Sequence, residues 1–404
     1  MKWPRRHLHR WLAGLLLLAV TLVGVACLVY PPLYVWRVLV WQDADADDYR
    51  RFPMRAVAPR TDALPLPRRL NVSAVQSAWQ QAGGALPMEA SLAELGTQAF
   101  LVVRDGQVIY EGYGNGASRE TWVTSFSVAK SMLSTLFGIA VAQGAIRSID
   151  DPVTRYVPEL RERDARFDQV TLRHLLRMAS GIRYAEFPFL HGDDAKTYYY
   201  PDLRKLALEE TRIAGAPGRR FQYNNFHPLL LGLVLERATR TPVAQYLQQR
   251  LWRPAGMVGQ ASWSLDSEAS GFEKLESGFN ARAEDFARFG QLMLQRGTID
   301  GKQVVPLSWV DQSTGPGAWP PPEDYYQGTP WLHRNKQRSY ASLWWGQRRS
   351  DGGHDFAARG NHGQLIFVSP RNRIVIVRNG LQYGIDAGQW FERARVMAEV
   401  LGHP

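Results

Sequence analysis

The sequence predicts an α/β protein of the α+β type, with two lobes behind an N-terminal transmembrane helix. One lobe is an antiparallel sheet flanked by helices, and the other is mainly helical. Strand patterns occur at 99–114 and return at 363–380, whereas helical patterns fill most of the region 145–300. Strands near both chain ends with helices between them indicate one sheet completed by both ends. A helical lobe beside that sheet leaves a cleft between the lobes, where ligands commonly bind.

The N-terminal apolar run, Trp11 to Tyr30, is uncharged and long enough to cross about 30 Å of hydrocarbon. Residues 1–10 are basic, and the positive-inside rule places them in the cytoplasm. We therefore expect a single-pass inner-membrane anchor with an interfacial extension at 11–41, and a periplasmic or otherwise extracytoplasmic body. A cleaved signal peptide is the main alternative. Cys27 is the only cysteine, so an intramolecular disulfide is excluded, whereas lipidation stays open.

The rest of the chain divides into a linker and a body. Residues 42–70 are polar and contain several prolines, which is typical of a connecting segment. Residues 71–404 are numerous enough to bury a sizeable core. The net charge is +10, but basic and acidic residues are interspersed without a basic stripe, so we expect no nucleic-acid partner. The sequence leaves the oligomeric state open.

The body opens with a predicted hairpin and closes with strands and a helix. Two β-rich runs at 99–114 flank Asp105-Gly106, a dipeptide typical of two-residue hairpin turns. Near the C-terminus, GQLIFVSP and RIVIVRNG read as strands joined by a turn at Arg371-Asn372. An amphipathic helix at Gln389–Leu401 completes the chain.

The segment at 122–144, WVTSFSVAKSMLSTLFGIAVAQG, contains the first candidate catalytic pair. Apolar residues recur at helical spacing after Ser127, and Gly144 is placed to end the helix. Ser127 and Lys130 are three residues apart, so they share a helix face, with the amine over the hydroxyl. An apolar environment favours the neutral amine, which can accept the serine's proton. The alternative is a serine that only caps the helix and a solvated lysine.

A second candidate element is FQYNN at 221–225. Tyr223 can relay a proton between Ser127 and a leaving group, provided that a nearby cation such as Lys130 lowers its pKa toward neutrality. Asn225 can hydrogen-bond Lys130 and a substrate carbonyl. The alternative is a core tyrosine with an asparagine that caps a helix.

The third element, FAARGNHGQ at 356–364, enters a C-terminal strand. Gly360 and Gly363 allow the backbone to approach a ligand closely. A strand edge at this point can donate an N–H to an oxyanion, together with the N–H of Ser127. The alternative is a glycine-rich turn between two strands.

In this order, the three elements resemble the serine β-lactamase-like family. Within that family, the sequence resembles the class C β-lactamase and penicillin-binding-protein-like serine hydrolases in particular. It is closest in appearance to 6-aminohexanoate-dimer hydrolases and family esterases. The resemblance extends over about 95–400 and includes SFSVAK, VTLRHLLRMASGI, GAPGRRFQYNN and SGFNARAEDFARFGQLML. It implies the two-lobed β-lactamase/transpeptidase-like fold, with 71–404 as one hydrolase domain.

The resemblance also implies roles for individual residues. Ser127 would be the acylated nucleophile, Lys130 its activating base, and Tyr223 the proton relay. The backbone N–H groups of Ser127 and Asn361 would hold the oxyanion. The remaining expected substrate-binding residues are Asn225, Arg359, Gly360 and His362. The family implies no cofactor, and the histidines lack the spacing of a metal site.

One departure from the family pattern bears on the substrate. Ala358-Arg359-Gly360 stands where the family carries Lys or His, then Thr or Ser, then Gly, although Arg359 can supply a cation. The groups that help to hold a β-lactam carboxylate are therefore absent. We expect a serine hydrolase acting on a small-molecule ester, amide or peptide. The alternatives are a peptidase or β-lactamase acting on peptidoglycan peptides or β-lactams, and a catalytically silent binding or sensor domain.

The stretch at 184–200, YAEFPFLHGDDAKTYYY, is long for a plain connection and rich in aromatic residues. It is either a lid over the cleft or a surface excursion that packs its own aromatic side chains.

Overall fold

A computed structural model describes residues 5–188, 190–315 and 324–402, so residues 1–4 of the expected basic segment lie outside the described part of the chain. The fold is a seven-stranded antiparallel sheet between helices, with a helical lobe and a second, four-stranded sheet beside it. The strands are β1 Met54–Val57, β2 Thr97–Arg104, β3 Gln107–Tyr113, β4 Trp122–Thr124, β5 Ala261–Ser264, β6 Phe279–Arg282, β7 Thr298–Ile299, β8 Lys302–Gln303, β9 Arg338–Ala341, β10 Trp344–Arg348, β11 His354–Gly360, β12 Gln364–Ser369 and β13 Ile374–Gly380. The helices are α1 Arg5–Val29, α2 Pro32–Trp41, α3 Val72–Gln81, α4 Met88–Glu94, α5 Val128–Ala142, α6 Glu159–Arg163, α7 Leu172–Leu176, α8 Asp193–Tyr199, α9 Leu203–Glu210, α10 Phe226–Thr239, α11 Val243–Leu247, α12 Ala283–Leu294, α13 Leu307–Thr314, α14 Pro330–His333 and α15 Ala387–Leu401.

The main sheet joins the two ends of the body, as the sequence predicts. Its strand order is β3-β2-β13-β12-β11-β10-β9, and each neighbouring pair is antiparallel. The central β2–β13 pairing brings together segments more than 250 residues apart in the chain. The predicted α+β fold with an antiparallel sheet is confirmed.

The predicted hairpin is the β2–β3 pair. Asp105 and Gly106, between the two strands, have φ values of 52° and 78°. A two-residue hairpin turn needs positive φ at both positions, which aspartate tolerates and glycine adopts freely. The conformational preferences of these two residues therefore account for the turn.

The main sheet has apolar side chains on both faces, in the alternation expected of strands. On β2, Leu101 and Val103 belong to the larger core cluster, which includes α5, α10 and α12. Phe100 and Val102 point the opposite way, into the cluster formed with α3, α4 and α15. The main sheet therefore lies between two helical layers. One of these layers consists of α3, α4 and α15, which come from both ends of the body.

The middle region is less purely helical than expected. β5 and β6 lie within 145–300 and pair with β1 and β4 in the order β1-β5-β6-β4. All four residues of β5 are buried, so this strand lacks the alternation that would have indicated a half-exposed strand.

The segment expected to be a linker, 42–70, is packed on the body. Its strand β1 pairs with β5 over four residues, and Val57 and Leu66 are buried in the core. The prolines and polar residues of 42–70 are consistent with the irregular path of this segment. Its paired strand and buried side chains nevertheless fix the segment on the body. Upstream, α1 contains the 19-residue apolar stretch Trp11–Val29, which has no buried residue and is long enough to span a membrane.

Candidate active site

Ser127 lies at the junction between β4 and α5, where the backbone is constrained. Phe126, immediately before it, is buried and has a φ of 42°, a conformation that is uncommon for a bulky residue. Ser127 is the N-terminal flanking residue of α5, but its side chain makes no capping hydrogen bond. Its hydroxyl instead accepts a hydrogen bond from Lys130 Nζ at 2.8 Å. The geometry thus differs from that of a serine that only caps a helix.

Lys130 is almost completely buried, with 1% of its surface exposed. Its Nζ donates to Ser127 Oγ at 2.8 Å and to the backbone carbonyl of Glu276 at 2.7 Å. Burial disfavours the charged amine and lowers the pKa of Lys130 from 10.5 to about 7, although the negative charges of Glu276 and Asp194 oppose this change. A large fraction of the amine is therefore neutral near pH 7, as a proton acceptor must be.

Tyr223 lies just before α10 and lines the same cavity as Ser127. Lys130 Nζ lies 5.1 Å from the centre of the Tyr223 ring. The ring stacks on Trp345 with a centroid separation of 5.9 Å.

The expectation that a cation lowers the pKa of Tyr223 is wrong. Burial raises that pKa above its usual value, and it outweighs the lowering effect of the Ser127 hydrogen bond and of Arg359. The physical reason is that the Tyr223 phenol is itself desolvated, and Lys130, with a pKa of about 7, is only partly charged near neutral pH. Tyr223 is therefore a phenol near neutral pH and can donate a proton or a hydrogen bond.

The glycine-containing strand β11 ends beside the serine. A Cβ built on Gly360 would lie 2.5 Å from the Ser125 carbonyl oxygen and 3.0 Å from the Ser127 backbone nitrogen. Only glycine allows this approach without displacement of the backbone. Asn361 follows Gly360 directly and lines the same cavity as Ser127. The third sequence element and the first are thus brought together.

Arg359 lines the cavity and packs against aromatic side chains. Its guanidinium lies 4.7 Å from the Trp331 ring centre and 4.9 Å from that of Trp345, and it donates to the Ala387 carbonyl at 2.7 Å. Burial lowers the pKa of Arg359 to about 10, so the group stays charged at neutral pH. Its contacts fix the side chain in one orientation.

Asn225 does not have the expected contact with Lys130. Its amide group donates to the Tyr184 hydroxyl at 3.0 Å and to Asp194 Oδ1 at 3.3 Å. The Tyr184 hydroxyl also donates to Asp194. Within the described residues, the buried Asn225 Oδ1 accepts no hydrogen bond, which leaves it available to a ligand.

One cavity of about 680 Å³ is bordered by Ser127, Tyr223, Asn225, Arg359, Gly360 and Asn361, whereas the buried Lys130 lies outside its lining. The same wall contains residues that were not expected in the site, namely Asp43, Ala44, Glu186, Asp194, Tyr198 and Glu276. His362, another expected substrate-binding residue, lies in the wall, and its Nε2 is 2.9 Å from the Ala44 carbonyl oxygen. The volume is in the range of small-molecule sites.

Sequence reasoning missed Asp194 and Glu276. Asp194 lies in the aromatic stretch considered as a lid, where the acidic pair after His191 was its only signal. The backbone carbonyl of Glu276 accepts a hydrogen bond from Lys130, a contact that no sequence motif indicates. The Glu276 carboxylate pairs with Lys274 at 3.0 Å, and both side chains are 1% exposed. In the described ranges, no cluster of three or more metal-ligating side chains occurs.

Residues 88–380 match the Beta-lactamase family. A 6-aminohexanoate-dimer hydrolase from Paenarthrobacter ureafaciens is 27% identical over 375 residues, which cover 87% of this chain and 89% of that protein. Esterase EstB from Burkholderia gladioli is 31% identical over 178 residues, or 39% of this chain and 44% of the esterase.

Solved structures show the same fold. A Bacillus anthracis structure described as a 6-aminohexanoate-dimer hydrolase superposes with a TM-score of 0.70 at 25% identity, covering 87% of this chain and 89% of the other. EstCE1, a hydrolase with promiscuous acyltransferase activity, superposes with a TM-score of 0.63 at 15% identity over 82% of this chain and 99% of its own, a likeness of fold alone. Together with the family match over most of the chain, these findings show that the protein belongs to the beta-lactamase family.

Proposed function

We propose that this protein is a membrane-anchored serine hydrolase that cleaves an ester or amide through an acyl-enzyme on Ser127. The main support is the buried Lys130 amine, which lies 2.8 Å from the Ser127 hydroxyl and has a pKa of about 7. A nucleophilic hydroxyl beside a base that is partly neutral at working pH is the arrangement that acyl transfer requires. The amidase- and esterase-related relatives support the same reaction class.

Acylation begins when neutral Lys130 takes the Ser127 hydroxyl proton as Oγ attacks the substrate carbonyl carbon. The carbonyl oxygen becomes an oxyanion, held by the backbone N–H groups of Ser127 and Asn361. As the intermediate collapses, the Tyr223 phenol donates its proton to the leaving alkoxide or amine. The Lys130 ammonium then returns a proton to the phenolate, so both groups recover their starting forms.

Deacylation uses the same groups with water as the nucleophile. Neutral Lys130 accepts a proton from water, and the resulting hydroxide attacks the acyl carbon. The second oxyanion collapses to release the carboxylic acid, and Lys130 gives its proton back to Ser127 Oγ. No step requires a cofactor.

The cavity chemistry favours an ester or amide without a carboxylate near the scissile bond. Asp43, Glu186 and Asp194 all border the cavity, and like charges repel a carboxylate. Arg359 is the compensating cation, but its contacts with two tryptophans and the Ala387 carbonyl leave less of it available to a ligand. β-Lactam and peptidoglycan-peptide substrates are therefore less favoured, as the altered sequence at 358–360 also indicates.

The proposed location is supported by α1. Its exposed apolar stretch supports a single span, with the basic residues before it on the cytoplasmic side. The catalytic body would then lie outside the cytoplasm, on the opposite side of the bacterial-type inner membrane.

A set of activated substrates tests this proposal. The full chain should hydrolyse p-nitrophenyl esters and react with a fluorophosphonate, and Ser127→Ala should lose both activities. If neither reagent gave a Ser127-dependent signal, the silent binding or sensor alternative would replace the enzyme. Strong labelling of Ser127 by a fluorescent penicillin would instead favour the β-lactam and peptidase alternative.

A further inference from the structure

The short helix α2 has two apolar faces, and only one is covered by protein. Tyr34, Val35 and Val38 are at most 1% exposed and pack in one cluster with Phe52 and Tyr199 of the body. The opposite face is formed by Leu33, Trp36, Leu39 and Val40, which are 41%, 50%, 51% and 57% exposed. A helix that is apolar all round normally has both faces covered.

The outer face of α2 carries no charge. Arg37 is the helix's one charged residue, and it is 3% exposed because it points toward the body. Its guanidinium donates to the Tyr199 carbonyl at 2.9 Å and lies 4.9 Å from the Phe52 ring centre. Exposed contiguous apolar surface with no charge within it is typical of an interaction site.

The position of α2 in the chain identifies what covers this face. α1, the candidate membrane span, ends at Val29, and α2 begins at Pro32. Two residues allow little separation, so α2 starts where the chain leaves the bilayer. The lipid surface is thus the nearest apolar phase, and a tryptophan on an uncharged face suits the headgroup boundary.

α2 is also joined directly to the wall of the serine cavity. Gln42, Asp43 and Ala44, the residues right after the helix, border that cavity. The Gln42 carbonyl accepts from the Tyr199 hydroxyl at 2.9 Å, and the Ala44 carbonyl lies 2.9 Å from His362 Nε2. Ten helical residues span about 15 Å. The cavity therefore lies within about one helix length of the membrane surface and is rigidly connected to it.

We propose that α2 lies on the bilayer surface and holds the cavity mouth at the lipid boundary, so that the substrate is an amphiphilic ester or amide presented by the membrane. This inference rests on the proposed hydrolase function and adds its substrate class. The cavity wall suits such a substrate, because it contains both aromatic and polar side chains. Phe187, on the same wall, is 79% exposed and extends the apolar surface beyond the cavity.

The placement of α2 is tested by depth measurements that need no catalysis. In a Cys27→Ser background, Leu39→Cys and Leu307→Cys each carry one NBD fluorophore in the full chain, reconstituted in phosphatidylcholine vesicles. Leu307 is a matched control because it is 43% exposed on α13, far along the chain from α2. Lipids spin-labelled near the headgroup should quench the fluorophore at 39 at least about twofold more than that at 307. Equal quenching would overturn the placement.

The substrate class is tested with two esters that share a leaving group. p-Nitrophenyl butyrate is supplied in water, and p-nitrophenyl palmitate is supplied within the vesicles. Trp36→Ser with Leu39→Ser should slow palmitate hydrolysis at least about tenfold and change butyrate hydrolysis less than about twofold. The control pair Leu64→Ser with Leu70→Ser, at sites 75% and 56% exposed, should alter neither rate.

The outcomes separate the two levels of the proposal. Equal loss of both rates in the α2 variant would mean that the helix only supports the fold, which overturns the inference. Preference for butyrate over vesicle-borne palmitate in the unmodified chain would overturn the membrane substrate class. Absence of Ser127-dependent hydrolysis of either ester would overturn the proposed hydrolase, whatever the quenching result.

Discussion

Acylation of Ser127 should follow the titration of Lys130, because only the neutral amine can accept the hydroxyl proton. Burial lowers the pKa of Lys130 from 10.5 to about 7 against the opposing charges of Glu276 and Asp194. At pH 7 about half of the amine is then neutral, compared with roughly one part in three thousand for a solvated lysine. The gain in active base is roughly a thousandfold, which corresponds to about 4 kcal/mol.

The assay is the pH dependence of kcat/KM for a soluble p-nitrophenyl ester, which reports the free enzyme. Between about pH 5 and 7 the value should rise nearly tenfold per unit, and above about pH 7.5 it should level off. Lys130→Arg keeps a charged group at this position over the whole range and should lower kcat/KM at least about a thousandfold. His362→Gln is the matched control, since His362 is the histidine in the described cavity wall.

Two results would refute this reasoning. A kcat/KM that continues to rise tenfold per unit between about pH 8 and 10 would mean that Lys130 titrates like a solvated amine. A midpoint that disappears in His362→Gln would assign proton acceptance to the histidine instead. In our account, the midpoint stays near pH 7 in that variant even if the rate changes.

Three further predictions concern the same site. Tyr223→Phe should lower kcat about a hundredfold for an alkyl ester or amide, but less than about tenfold for a p-nitrophenyl ester, whose leaving group needs no proton; steady-state kinetics on a matched pair will measure this difference. Gly360→Ala places a Cβ 2.5 Å from the Ser125 carbonyl oxygen, so thermal unfolding should show a loss of about 1–3 kcal/mol, with a fall in kcat because the Ser127 backbone shifts. Lys130→Met should abolish activity yet raise the Tm by about 3 °C at pH 6. The reason is that the unfolded chain carries a charged amine below the ordinary lysine pKa of 10.5, whereas burial in the folded protein disfavours that charge. This penalty grows as the pH falls from about 10 to 7 and is constant below, so the gain in Tm should shrink toward pH 10.

The sequence predicted those features that depend on neighbouring residues or on motif order. The turn at Asp105-Gly106 follows from the conformational preferences of two residues. The helix after Ser127 follows from apolar spacing, and its observed end at Ala142 lies two residues before Gly144. The order of the three elements carried the family resemblance, which the family match at 88–380 confirms.

Other features arise from contacts between distant segments and had no local signal. Tyr223 is desolvated by Trp345 and Tyr340, more than 110 residues later in the chain. Its pKa is raised for that reason, whereas the motif alone indicated the opposite direction. Asp194 is brought to Asn225, 31 residues later, by hydrogen bonds that also involve the Tyr184 hydroxyl. Such partners are set by tertiary packing, which spacing along the chain does not encode.

The N-terminal segment shows the same limit. Hydropathy identified the apolar run and its interfacial extension, but it gave no indication that the extension packs on the body. The buried Arg37 and the bond from the Tyr34 hydroxyl to the Leu190 carbonyl at 2.8 Å create that packing. As a result, Leu190 and α8 are held against α2, which fits a fixed cavity wall better than a freely moving lid.

Intact-mass measurement of the full chain tests the central claim most directly. After brief exposure to a panel of ester, amide and β-lactam substrates, quenched in acid, the protein should gain the mass of one acyl group. Peptide mapping should place that group on Ser127, and Ser127→Ala should gain none. An adduct on another residue, or ester turnover in Ser127→Ala at the rate of the unmodified chain, would contradict an acyl-enzyme on Ser127.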